Sequence, residues 1–112
     1  MVDMLTEKIE NCSIVRLEGE IDASSALQLD KTIEQIVQEE TTHLVIECTN
    51  LTYISSAGLG VIIASLKDMQ QEKRKVVLAN VDPTVMDIFT VLGLENHLHI
   101  APDLHAALLH CR

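Results

Sequence analysis

The chain has 112 residues, near the commonest size of a single domain, and its 47% hydrophobic and 22% charged residues exclude disordered and fibrous architectures. Tyr53 and Phe89 are its only aromatic residues, so the core must be aliphatic. Eight basic against seventeen acidic side chains leave a net charge of -9, which opposes direct binding to nucleic acid or anionic lipid and suits a protein partner with a basic patch.

Residues 4–9 and 13–18 read as two short strands joined at Glu10, Asn11 and Cys12, with Ile14, Val15 and Leu17 giving the second its β-favouring content. Gly19 loosens the chain before Ile21-Asp22. Ser25, followed three residues later by Gln28, suggests a capping box for a first helix. On that helix Ala26, Leu29, Ile33, Ile36 and Val37 share one face. Its end, Glu39-Glu40, opposes the macrodipole preference, so the last turn is expected to fray.

Residues 43–48, HLVIEC, form an apolar run suited to a central strand. A second helix follows Ser55-Ser56-Ala57-Gly58, with Leu59, Ile62, Ile63, Leu66 and Met69 spaced by three or four. Residues 75–79 predict another strand. Asp82 as cap and Pro83 at the first helical position open a third helix, which Gly93 closes. Leu98-His99-Ile100 reads as a short last strand, and Pro102 as the start of a last helix through Leu104, Ala107, Leu108 and Cys111.

The order β-β-α-β-α-β-α-(β)-α predicts an α/β fold: an antiparallel hairpin leading into a mixed, mostly parallel sheet of four to five strands with about four helices. No linker or repeat divides residues 1–112, which are expected to be one domain. The start, MVDMLTEKIENC, lacks the apolar run of a signal peptide, and no stretch approaches the roughly 18–20 apolar residues of a membrane span. Three widely separated cysteines (Cys12, Cys48, Cys111) argue against a disulfide framework and for a reducing compartment, so the expected location is the cytoplasm.

The segment Leu51–Gly60 places two hydroxyls and two glycines between a buried strand and an amphipathic helix. In open α/β sheets functional loops follow the C-terminal ends of strands. Free N–H groups at the helix start could stabilise an anion, or a phosphate carried by Ser56 itself. Equally, Ser55 or Ser56 could simply cap the helix. Asp22 could be a plain turn former. Gly58 and Gly60 could merely relieve crowding, and Leu59, Ile62 and Ile63 have the spacing of core residues. Spacing alone leaves these alternatives open.

The run Tyr53-Ile54-Ser55-Ser56-Ala57-Gly58-Leu59-Gly60, with Gly19-Glu20-Ile21-Asp22 upstream, resembles a STAS domain of the bacterial anti-sigma-factor antagonist family, and the element order agrees over nearly the whole chain. In that family the serine two residues before the first motif glycine is phosphorylated by a kinase that is also the anti-sigma factor. The resemblance implies that role for Ser56, with Ser55 as backup acceptor. It implies a partner-facing surface of Asp22, Ser24, Ser55, Ser56, Ala57, Gly58, Leu59 and Gly60. The implied function is partner switching: the unphosphorylated form binds the anti-sigma serine kinase and releases a sigma factor, phosphorylation reverses this, and a phosphatase resets it. Two positions depart from the pattern. Ser55 stands where the family often has Asp just before the phosphorylated serine, and Glu47 stands where the preceding strand often carries Asp.

Other chemistries find little support. Neither a Walker A loop nor the dinucleotide glycine fingerprint is present, so no cofactor is expected. His97, His99, His105 and His110 lack familiar zinc spacing, and no metal is expected. No Gly-x-Ser-x-Gly elbow appears; a hydrolase using Ser56 with His43 or His99 as base would need an oriented pair that the sequence does not offer. Cys48 reads as a core residue. The chain is therefore expected not to be an enzyme. The competing reading is a STAS module that senses or structurally holds a nucleotide, an anion or a transport-complex partner without phosphorylation.

Overall fold

In chain order the elements are β1 (Val2–Ile9), β2 (Cys12–Ile21), α1 (Ala23–Glu39), β3 (His43–Ile54), α2 (Ser56–Gln71), β4 (Val76–Ala79), α3 (Pro83–Val91), β5 (His99–Ala101) and α4 (Leu104–His110). The structure is a computed structural model and describes residues 2–39, 42–96 and 98–111. The strands form one sheet in the order β1-β2-β3-β4-β5, with β1 antiparallel to β2 and each later pair parallel. The predicted α/β architecture is the one observed, and the questioned last strand is present.

Strand alternation explains the layering. Val15 and Leu17 of β2, Leu44, Ile46 and Cys48 of β3, and Val76 and Leu78 of β4 point into the larger core, where Leu29 and Ile33 of α1, Leu59 and Ile62 of α2 and Phe89 of α3 cover them. The intervening Ile14, Val45, Val77 and Ala79 face the opposite side and meet Ala107 of α4. A period of two thus buries both faces of the central strands, which is why β3 and β4 read as unbroken apolar runs.

Several boundaries move for local reasons. The capping box lies one turn earlier than predicted. Asp22 is the cap of α1: its carboxylate accepts from the Ser25 N–H at 2.9 Å, and the Ser25 hydroxyl accepts from the Asp22 N–H at 2.9 Å. Gly19 does not end β2. It sits inside the strand at φ 104°, beside a shift in register with β3. That irregular pairing lets β3 continue past Cys48 to Ile54, with Leu51 and Ile54 buried. Pro102 does not begin α4; Asp103 is the cap, accepting from the Ala106 N–H at 2.8 Å. Asp82, Pro83 and a left-handed Gly93 (φ 71°) bound α3 as predicted.

The acidic end of α1 is met from a distance. Arg74 is buried, and its guanidinium donates to the Val37 carbonyl at 3.2 Å and the Thr42 carbonyl at 2.7 Å. A cation supplied from beyond the end of α2 therefore stands where the local sequence has only acids, matching the negative pole of α1. Glu40 lies outside the described residues.

Candidate functional site

The site forms where β2 and β3 end side by side. Ile21 and Ile54 are register partners, and the Ser55 N–H donates to the Ile21 carbonyl at 2.8 Å. The residues that follow each strand, Asp22 and Ser55, both become helix caps. The starts of α1 and α2 are consequently neighbours at the C-terminal end of a parallel strand pair, where α/β sheets carry their functional loops.

The two serines have different jobs. Ser55 lies in extended conformation (φ -77°, ψ 166°), is half-buried, and accepts from the Gly58 N–H at 3.2 Å. It is the cap. Ser56 is the first helical residue; its side chain is exposed and makes no hydrogen bond to the described residues. Because Ser55 takes the capping bond to the Gly58 N–H, the Ser56 hydroxyl is left to solvent beside the other backbone donors and the positive pole of a sixteen-residue helix.

Asp22 and Ser24 are both exposed, and the Ser24 hydroxyl donates to the Asp22 carboxylate at 2.8 Å. The Ser25 N–H, the Ser24 hydroxyl and the Ser25 hydroxyl bring the Asp22 pKa down to about 2. A fixed negative charge thus stands at the start of α1.

The small residues also divide. A Cβ on Gly58 would come within 2.8 Å of Ile21 Cγ2 and of Ile54 Cγ1, so only glycine lets α2 begin this close to the paired strand ends. Gly60 is exposed, and a Cβ there would meet nothing within 4 Å. Crowding explains the first glycine and not the second. Ala57 is exposed beside Ser56. Leu59, included in the implied partner-facing surface, is in the large core at 3% exposure, and its side chain does not reach that surface.

Glu47 is likewise not at this surface. It is buried, accepts from the Thr49 N–H at 2.6 Å and from the Asn80 side chain at 2.9 Å, and ties β3 to the residue after β4. Asn80 holds φ 57°, a left-handed conformation that asparagine tolerates. Sequence reading also gave no role to Tyr53 and Leu27, which are 46% and 59% exposed. Exposed apolar side chains at the end of β3 and in α1 could have been flagged by their breaking the expected alternation of each element.

The histidines do not join the serine. His43 opens β3 while Ser56 follows its end, so a strand of twelve residues, at about 3.3 Å each, separates them. His99 opens β5, at the same end of the sheet as His43. The rings of His99 and His110 lie 4.7 Å apart, His105 is exposed, and His97 lies outside the described residues. Among the described residues no group of three His, Cys, Asp or Glu side chains is placed to hold a metal ion, and no helix is long and apolar enough to cross a membrane.

Comparison with known proteins agrees with the fold. The chain is 30% identical over 101 residues to BtrV of Bordetella bronchiseptica, named as a candidate anti-sigma factor antagonist, covering 90% of this chain and 87% of that protein. It superposes on an anti-sigma factor antagonist from Mycobacterium paratuberculosis with a TM-score of 0.87 at 26% identity, covering 100% of this chain and 95% of the other. It shares its fold with the phosphorylated form of SpoIIAA, a Bacillus cell fate determinant, at a TM-score of 0.77 and 21% identity, covering 98% and 100% of the two chains. The STAS domain family model matches residues 3–107. A sheet-to-helix corner carrying Ser55-Ser56-Ala57-Gly58 and a family match across almost every element lead to one conclusion: the chain belongs to the STAS domain family, with relatives named as anti-sigma factor antagonists.

Proposed function

We propose that this chain is an anti-sigma factor antagonist that works by partner switching, with residues 1–112 acting as one STAS domain. Unphosphorylated, it binds an anti-sigma serine kinase and so releases a sigma factor; phosphorylation at Ser56 ends that binding, and a phosphatase restores it. The single observation that carries this reading is the exposed Ser56 hydroxyl, unengaged because Ser55 provides the cap.

The electrostatics support a switch that acts on docking and leaves the fold intact. A phosphate brings a charge of about -1.5 to -2 and three acceptor oxygens. At the start of α2 it meets free backbone donors and the positive end of the helix, so the free domain tolerates it. To a partner it looks different: the ionised Asp22 cap of the neighbouring helix already presents negative charge, and the phosphate adds to it. The surface engaged would comprise Asp22, Ser24, Ser56, Ala57 and Gly60, with Ser55 and Gly58 shaping it from beneath. The chain's net charge of -9 favours a kinase with a basic docking face.

The test is to incubate the protein with its cognate kinase and ATP and to map the product by peptide mass spectrometry. Phosphate on Ser56 is expected, Ser56→Ala should bind the kinase yet resist modification, and Ser56→Asp should bind weakly. Phosphate on neither Ser55 nor Ser56 would remove the switch.

A further inference from the structure

We infer that Cys12 and Cys111 are a latent disulfide site, which a peroxide converts into an intrachain bond clipping the end of α4 to the start of β2. The inference is independent of the role given to Ser56.

The pair is assembled by the fold from opposite ends of the sequence. Cys12 is the first residue of β2 and Cys111 is the C-cap of α4. Both belong to the smaller core, with Ile14, Val45, Val77, Ala79, Ala101 and Ala107, and both are essentially inaccessible, at 1% and 0% exposure. The Cys12 thiol is close enough to Cys111 to be one of the groups that raise its pKa. Asn11, next to Cys12, donates from its side-chain amide to the Cys111 carbonyl at 3.2 Å and accepts from the Cys12 thiol. Lys75 Nζ donates to the His110 carbonyl at 2.8 Å. The last turn of α4 is thus held to the start of β2 through Asn11 and to the residue before β4 through Lys75.

While α4 is docked the thiols are protected, since burial and the neighbouring Cys12 thiol push the Cys111 pKa up and a thiol reacts as its thiolate. The protection is local. α4 has seven residues, of which only Ala107 is buried, and short elements with few buried contacts open without global unfolding. Once the turn opens, a peroxide can oxidise the Cys111 thiolate: sulfur takes one peroxide oxygen to become a sulfenic acid, and the other leaves as water after protonation. Before the turn has fully redocked, Cys12 attacks that sulfur as its thiolate, the S–S bond forms as the S–O bond breaks, and the sulfenic hydroxyl takes up the proton that Cys12 released and departs as a second water. Two thiols and one peroxide give one disulfide and two waters. The bond closes most of the chain into a single loop, which restricts the unfolded state. It forms at the start of β2, whereas Asp22 follows the end of β2, so the clip leaves the Ser56 surface as it is.

Cys48 is the internal control. It sits in the other core, its thiol faces the Ile46 carbonyl, and burial pushes its pKa to about 12. The experiment is to treat the native full chain with hydrogen peroxide, alkylate it under denaturing conditions, and map peptides without reduction. The expected result is alkylation of Cys48 alone, a covalent link between the peptides holding Cys12 and Cys111, and a melting temperature raised by oxidation and returned by dithiothreitol. Cys48→Ala should still form the link. Full alkylation of all three cysteines after peroxide treatment, sulfinic or sulfonic acid on single cysteines without a link, or links that involve Cys48 or a second chain would each overturn the inference.

Discussion

The Ser55 N–H donates to the Ile21 carbonyl at 2.8 Å, and this contact sets the starts of α1 and α2 next to each other. It is the last rung between β2 and β3, and each strand turns into a helix one residue later. The neighbouring caps, Asp22 and Ser55, then do opposite things to the surface: one presents a fixed charge, and the other withdraws a hydroxyl into the backbone and leaves its neighbour free.

The division between the serines predicts two unlike alanine variants. Ser55→Ala removes the cap to Gly58 and should cost about 1 kcal/mol of stability. Ser56→Ala removes an unbonded, exposed hydroxyl and should stay within about 0.5 kcal/mol of the parent. Urea unfolding of both variants checks this, and equal losses would contradict the assignment of the cap.

The glycines separate in the same way. Gly58→Ala forces a Cβ against Ile21 and Ile54 and should destabilise by about 1–3 kcal/mol, as overpacking does. Gly60→Ala meets open space in a helix interior and should stabilise by about 0.5–1 kcal/mol. If Gly60 is part of the docking floor, the added methyl should weaken kinase binding while raising the unfolding midpoint. Denaturation and binding measured on the same sample distinguish the two effects.

Asp22 should titrate near pH 2, detectable in its side-chain carboxyl NMR signal. The sign follows from its depressed folded-state value: the contribution is fully present above the unfolded carboxylate pKa, about 3.9, and is lost as pH falls through about 2. At neutral pH Asp22→Asn should therefore change charge at the site without mimicking any protonation state that the parent visits. Ser25→Ala, which removes a donor to the carboxylate, should move the titration upward.

Arg74 carries the C-terminal end of α1. Arg74→Ala withdraws charged donors from the Val37 and Thr42 carbonyls and should cost about 1.5–3 kcal/mol for each bond lost without replacement. Amide hydrogen exchange should accelerate first in the last turn of α1, which then shows the fraying that its own acidic sequence predicts. Unchanged exchange there would mean that the guanidinium contributes nothing to the helix end.

Much of this was readable before any coordinates. The spacing of Leu29, Ile33 and Ile36, the apolar runs at residues 43–48 and 75–79, and the Asp82-Pro83 start depend on residues within one or two turns of each other, so local rules suffice. The serine-glycine motif likewise marked its strand-to-helix corner, because the signals for a buried strand and an amphipathic helix meet there.

Other features had no local signal. Ser24, Ser25 and Asp22 are all competent helix starters, and only the hydrogen bonds show Asp22 as the cap and Ser25 as its reciprocal partner. β3 continues through the polar Thr49 and Asn50 because bulged pairing with β2 carries it, a cross-strand effect that its own composition conceals.

Amino-acid order alone thus determined the alternation of strands and helices, the burial of both sheet faces and the location of the serine corner, because periodicity and caps act between near neighbours. Which serine keeps a free hydroxyl, why Gly58 admits no side chain, what neutralises the end of α1 and that Cys12 meets Cys111 were decided by tertiary structure. Each depends on groups brought together through space by packing and backbone hydrogen bonds, and sequence distance does not encode that proximity.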